Sequence, residues 1–305
     1  MSACYPPAAI RRPHRAEVCR VSRLVRSRFR RRRAGWFLWV ALLLIAALAI
    51  GWRYLAVPDL ADMAPYGVPR ATRLAPQTAT MTLVNPGFAI GYSEWRGNPL
   101  WAAYHLVPVK VPERLPRPRE FSRDERTWRG VTSADYRDSG YQRGHLAPNY
   151  AIAQVHGRAA QQATFLMSNI TPQKPALNQK AWQRLEEAVI DHFAPRFGRV
   201  WVLAGPIFDD RVESLPGGVE IPDAFYKVLL VESGEGPRAL AFRIPQDVRG
   251  KEPLRRFLVS VDRIEAETGL DFFPALEDGV EAALEARVDA TGWDLESVDD
   301  LPPRY

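Results

Sequence analysis

The longest apolar stretch of the chain comes early. From Gly35 to Trp52 the sequence GWFLWVALLLIAALAIGW carries no charge over eighteen residues. As a helix rising about 1.5 Å per residue it covers roughly 27 Å, close to the hydrocarbon thickness of a bilayer. Trp36 and Trp39 at one end and Trp52 and Tyr54 at the other stand where interfacial aromatics belong, and Arg30 to Arg33 precede the span. The pattern predicts a transmembrane helix or signal anchor over 35–55. The N-terminus then lies in the cytoplasm and the rest of a single-pass inner-membrane protein is periplasmic or extracellular. Ala47-Leu48-Ala49 also resembles a cleavage site, so secretion after signal removal is the alternative.

Past the span, residues 56–85 alternate Pro and Ala with short apolar pieces and no sustained period, which reads as a linker. Phe88–Trp95 and Leu100–Val109 are aromatic and β-branched runs flanking Arg96-Gly97-Asn98-Pro99, the pattern of a β-hairpin. Residues 112–140 are loop-like. Leu185, Val189 and Phe193 recur at helical spacing, which predicts a helix over 178–193 that Gly198 ends. Residues 199–205, 224–231 and 240–244 read as buried strands, Pro216-Gly217-Gly218 as a turn, and 253–268 as a helix. Strands and helices do not alternate regularly, so the class is α+β. The organisation is an Arg-rich tail (1–34), the membrane segment (35–55), a linker (56–85) and one catalytic-sized domain (86–305).

Composition changes the meaning of the net charge. The chain carries +6, but residues 1–35 hold eleven Arg and the single acid Glu17, a segment of +10 that leaves −4 for everything after it. A main domain that handles a polyanion must therefore use a local basic cleft or a metal ion rather than a broad positive field. Cys4 and Cys19, the only cysteines, also lie in the tail. This excludes thiolate metal sites, cysteine nucleophiles and internal disulfides from the domain, and suits folding in an oxidising compartment.

Two segments are more polar than a structural element requires. One runs from Asp135 through Tyr141-Gln142-Arg143-Gly144-His145 to Pro148. The other runs from Met167 through Asn169 and Gln173 to Asn178, Trp182 and Glu186. Together with Trp101-Ala-Ala-Tyr104, Gly205-Pro206, Ile221-Pro-Asp-Ala-Phe-Tyr-Lys227 and EAETGLDFFP (265–274), this ordered set resembles the DNA/RNA non-specific endonuclease family, from about Phe88 to Leu276. The resemblance implies a ββα-metal finger nuclease fold with a mixed or antiparallel sheet. It also implies DNA and RNA as substrates, Mg²⁺ (or Mn²⁺) as cofactor and a homodimer as a common assembly.

The resemblance makes His145 the general base, and a neutral imidazole suits that task at neutral pH. Taken by itself, such a His more often only hydrogen-bonds a turn. Asn178 falls on the family's metal ligand. One neutral oxygen suits Mg²⁺, which keeps several waters and takes further ligands from phosphate, though Asn before an apolar stripe is also an ordinary N-cap. Glu186 lies about 80° round and about 12 Å along an ideal helix from Asn178. It cannot easily share the inner shell, and the resemblance implies contact with water around the ion. Arg143 and Arg119 match the family's arginines, which stabilise charge on the attacked phosphate; either could be a solvated loop charge. Asn169 is expected to hold His145 or the metal loop, or to serve a turn. Gln142 departs from the family's Asp and removes one negative charge near the ion.

The expected function is a metal-dependent, sugar-non-specific endonuclease. The alternatives are a catalytically weak or inactive member of the fold that binds nucleic acid at the membrane, and a ββα-metal phosphodiesterase acting on small nucleotides.

Overall fold

The computed structural model describes residues 39–45 and 60–302. The chain divides into one unit of residues 1–57 and another of residues 58–305. In the first, residues 39–45 are helical. The remainder of the span predicted over 35–55 and the tail 1–34 lie outside the described residues. Among the described residues no helix is long and apolar enough to cross a membrane.

The second unit begins with α1 (Leu60–Met63), β1 (Arg70–Ala71) and β2 (Met81–Asn85). The predicted linker therefore enters the domain from Leu60 onward. Met63, Ala64 and Leu83 are buried in its cores. Single apolar residues docking one at a time leave no period to read, which is why this stretch looks unstructured in sequence. Then follow β3 (Phe88–Ser93) and β4 (Asn98–Leu106), the predicted hairpin, paired from Phe88↔Tyr104 to Ser93↔Asn98. Gly97 closes its turn at φ +64°, where a side chain would be strained.

Residues 107–141 are mostly irregular, with a 3-10 turn at Ser133–Tyr136; this agrees with the loop predicted over 112–140, while the strand predicted to Val109 ends at Leu106. The chain continues through β5 (Gln142–His145), α2 (Asn149–Ala163) and β6 (Ile170–Gln173) into a helical run. Its middle is α3 (Trp182–Ala188), flanked by wider turns at Leu177–Ala181 and Val189–Phe193 and finished by Ala194–Phe197. Leu185, Val189 and Phe193 are buried as the stripe predicts, and Gly198 ends the run at φ +78°. Helix α2 has no counterpart in the sequence reading. Its buried face is made of Ala151, Ile152, Ala153 and Ala160, and Gly157 breaks its helical geometry, so the periodic signal is weak.

Next come β7 (Val200–Ile207), the small hairpin β8 (Glu213–Ser214) and β9 (Glu220–Ile221), then β10 (Ala224–Ser233) and β11 (Gly236–Pro245). The helix predicted over 253–268 is replaced by a 3-10 turn at Leu254–Phe257, β12 (Leu258–Val259) and only then α4 (Val261–Thr268). Ser260 restarts the helix by accepting a hydrogen bond from the Arg263 amide, and left-handed Gly269 stops it. Strand β13 (Leu270–Asp271) and α5 (Asp278–Glu285) complete the elements used below.

Seven strands form one antiparallel sheet in the order β12-β11-β10-β7-β4-β3-β2. Both faces are covered, so its central strands are buried almost continuously instead of alternating. Phe225, Leu229 and Val231 of β10 meet the layer of α2 and α3 on one face; Tyr226, Val228 and Leu230 meet α4 on the other.

Candidate active site

The site is built on the β5–β6 pair. Four residues of each strand face each other, from Gln142↔Gln173 to His145↔Ile170. Gly144 is required here because a Cβ would stand 2.0 Å from Oε1 of Gln173, which packs flat against it. Buried Gln246 anchors the exit of β6 by donating to the carbonyls of Pro172 and Pro222 and accepting from the Lys174 amide at 2.8 Å. The next turn delivers Asn178. Asn169 is fully buried, and its side chain accepts from the Ala147 amide at 2.9 Å while donating to the Ala147 and Thr164 carbonyls. These bonds tie Asn169 to the segment just after His145 and to the turn at Thr164.

His145 packs against a pair of touching rings, with centroids 5.5 Å from Phe121 and 5.0 Å from Phe165, which are 4.9 Å from each other. The residue keeps some exposed surface, but its Nε2 is sealed and has no hydrogen-bond partner. Burial, reinforced by the positive charge of Arg117, pushes its pKa down to about 3. The ring is therefore neutral throughout the physiological range, with a protonatable atom that no protein group has claimed. Its carbonyl accepts from Trp182 Nε1 at 3.3 Å, which links β5 to α3.

Asn178 is not an N-cap. It lies inside the wide turn Leu177–Ala181, a rare geometry that recurs at functional sites. Its Nδ2 donates to Oε1 of Gln142 at 2.8 Å. That bond brings the candidate ligand to the strand bearing Arg143 and His145, and it turns the amide so that Oδ1 is left free of any hydrogen bond among the described residues. The ideal-helix angle between Asn178 and Glu186 does not apply across such a turn.

Glu186 approaches Lys227 of β10, with Oε1 3.7 Å from Nζ, an ion-pair distance too long for a hydrogen bond. Lys227 is wholly buried, and its Nζ lies 4.2 Å from the centroid of the Trp182 ring, so the indole face supplies part of the solvation it has lost. Burial raises the Glu186 carboxyl to about 7, with Lys227 opposing the rise. Burial likewise lowers Lys227 to about 8 against the pull of Glu186. Sequence reading singled out Glu186 but missed Lys227. A lone Lys within the apolar strand AFYKVLLV was the signal available, since buried Lys is rare without a partner.

The arginines divide differently from the expectation. Arg143 donates to the Ser133 carbonyl at 3.3 Å and lies 5.4 Å from the Phe121 centroid, beside His145. Arg119 is exposed, with no hydrogen bond or ion pair among the described residues. The guanidinium that acts on His145 is that of Arg117, 5.2 Å over the Phe165 ring. Arg117 is itself exposed, and spacing along an irregular, Arg-rich loop does not fix which Arg comes near His145.

The donor set fits a hard divalent ion. Asn178 Oδ1 is unengaged and Glu186 Oε1 is buried without a hydrogen bond, two oxygens of the kind such an ion takes.

The sequence matches the model of the DNA/RNA non-specific endonuclease family over residues 71–279. It is 29% identical over 252 residues to a nuclease of Nostoc sp., covering 76% of this chain and 90% of that one. It is 33% identical over 232 residues to mitochondrial endonuclease G of Homo sapiens, covering 70% and 73%. It is 32% identical over 200 residues to a nuclease of Serratia marcescens, covering 61% and 73%. A chain in a crystal structure of the EndoG/EndoGI complex superimposes with a TM-score of 0.63 at 24% identity, over 73% of this chain and 94% of that one, a likeness of fold.

Proposed function

The chain belongs to the DNA/RNA non-specific endonuclease family and is an endonuclease; we propose that it hydrolyses phosphodiester bonds of DNA and RNA with His145 as general base and a divalent ion at Asn178. The observation that carries this reading is the 2.8 Å bond between Asn178 and Gln142, which joins the oxygen donor to the strand of His145.

Asn178 would hold the ion through Oδ1, with Glu186 adjacent; Mg²⁺ is the ion this donor set suits, and Mn²⁺ its substitute. The bound ion supplies positive charge against the phosphate oxygens. His145 Nε2 accepts the proton of the attacking water as its oxygen bonds to phosphorus; the bond from phosphorus to the leaving oxygen breaks, and that oxygen takes a proton from solvent water. A base with a pKa near 3 accepts protons poorly at pH 7. Turnover therefore requires water to reach Nε2, the atom left without a partner. Arg143, over Phe121, and Arg117, over Phe165, both lie near His145 and stabilise the charge that builds on the phosphate. Asn169 and Gln142 position; they do not react.

The assay uses plasmid, single-stranded DNA and RNA with Mg²⁺ or with EDTA, beside His145→Ala. Cleavage by wild type that EDTA and His145→Ala each abolish is expected; equal cleavage by the variant removes His145 from the mechanism. The sealed Nε2 favours a second reading, a nucleic-acid binder with slow turnover, which gel shift without cleavage would establish. We place the domain outside the cytoplasm, tethered by 35–55 or released after Ala49, on the support of the Arg30–Arg33 cluster before an uncharged span. Cell fractionation tests that placement, and sedimentation of purified protein tests the homodimer.

A further inference from the structure

The sheet face opposite α3 carries a second set of acids. Asp262 and Glu265, one turn apart on α4, and Glu285, the last residue of α5, each bring a carboxylate oxygen within 4.8 Å of the others. Proximity alone would be unremarkable on an acidic surface. Glu285 is different: it is 5% exposed, and its Oε1 is shielded from solvent with no hydrogen-bond partner. Glu265 commits one oxygen to the Phe272 amide at 2.7 Å and keeps the other. Asp262 is exposed and leaves a way in from solvent.

No Arg or Lys answers these charges. Among the described residues none of Asp262, Glu265, Asp271, Glu281 and Glu285 forms an ion pair, whereas Glu267 of the same helix is bracketed by Arg243 and Arg263. Burial, with the neighbouring carboxylates adding to it, disfavours the charge on Glu285. An unpaired carboxylate this deep must be neutralised, by a proton or by a cation. The donor set discriminates between cations. Three protein carboxylates gathered within 4.8 Å suit Ca²⁺, which is held by many protein oxygens in flexible geometry, better than Mg²⁺, which binds through one or two carboxylates and keeps several waters.

We propose that Asp262, Glu265 and Glu285 form a calcium site that ties α5 to α4, separate from the active site on the other face of the sheet. Water reaching Asp262 completes the shell, since Ca²⁺ takes six to eight oxygens in flexible geometry. The ion binds the folded chain and so stabilises it.

The test follows thermal unfolding and calcium stoichiometry of the chelator-stripped full chain in mild detergent, with CaCl₂ or MgCl₂ added. Wild type and Asn178→Ala should both rise saturably by about 3 °C or more with calcium, binding one ion, and rise less with magnesium. Glu285→Gln and Asp262→Asn should lose that rise. Because Glu285→Gln relieves repulsion, it should unfold no lower than wild type in EDTA, and its nuclease activity should persist. Asp262→Asn, at an exposed position, guards against a folding defect. The proposal is overturned if wild type shows no saturable rise, if Glu285→Gln keeps it, if magnesium acts equally, or if Asn178→Ala abolishes it.

Discussion

Lys227 Nζ lies 3.7 Å from Glu186 Oε1 and 4.2 Å from the centre of the Trp182 ring, wholly buried behind the site. A cation there lowers the pKa of Glu186 against the effect of burial. Lys227→Met leaves the carboxyl uncompensated, so its pKa should climb above 7. Activity at pH 7 should fall at least tenfold and recover in part at higher pH. Breaking such a pair also costs on the order of 3 kcal/mol, which urea denaturation would read. An unchanged pH profile would show that the pair is only structural.

Gln142 orients Asn178 and carries no charge. Gln142→Ala should raise the Mg²⁺ concentration for half-maximal cleavage by about 10- to 100-fold, the usual cost of losing an outer partner of a metal ligand. Gln142→Asp keeps an acceptor and adds a charge, so it should lower that concentration below wild type. Metal titrations of the three proteins decide the matter.

The His145 ring gives stability a pH dependence of known sign. Its folded pKa near 3 lies below the ordinary 6.5, so between these values the unfolded chain binds a proton that the folded chain refuses. The contribution is whole above about pH 6.5 and is lost as pH falls toward 3. Denaturant midpoints of wild type and His145→Phe should lie closest at neutral pH and separate as pH falls toward 3, where the variant escapes the loss. Phe121→Ala, by admitting water, should lift the His145 pKa toward 6.5 in an NMR titration.

Asp124 anchors the loop that carries Phe121. Burial pulls its pKa up, but hydrogen bonds from Arg126 and Ser168 overcome that, and the net shift is downward. Arg126 also bonds Asn85 and the Val84 carbonyl, so one guanidinium joins the loop to β2. Asp124→Ala should cost about 3 to 5 kcal/mol in chemical denaturation, through the charge left behind on Arg126. Asp124→Asn should cost less.

The sequence carried the periodic parts of this molecule well. The β3–β4 hairpin and the stripe Leu185, Val189, Phe193 stand where spacing puts them, because each presents a regular apolar face. The segment 60–85 and helix α2 were hidden because isolated or alanine-based contacts produce no strong period. In the candidate site, His145, Asn178, Glu186 and Gln142 were named from motif. Their surroundings were not legible: the wide turn around Asn178, the approach of Arg117 to Phe165 and His145, and Lys227 some forty residues beyond Glu186 depend on tertiary packing.

Strands β4 and β7 lie side by side, yet β4 ends at Leu106 and β7 begins at Val200. The site residues from Arg117 to Glu186 all fall within the intervening loop. Closing so long a loop costs entropy before any contact repays it, and such non-local pairing slows folding. The antiparallel hairpins on either side can form from local sequence. Seating of the β4–β7 pair is therefore the step that commits the chain, and the nuclease site should mature with it, late in folding, leaving early intermediates structured but inert.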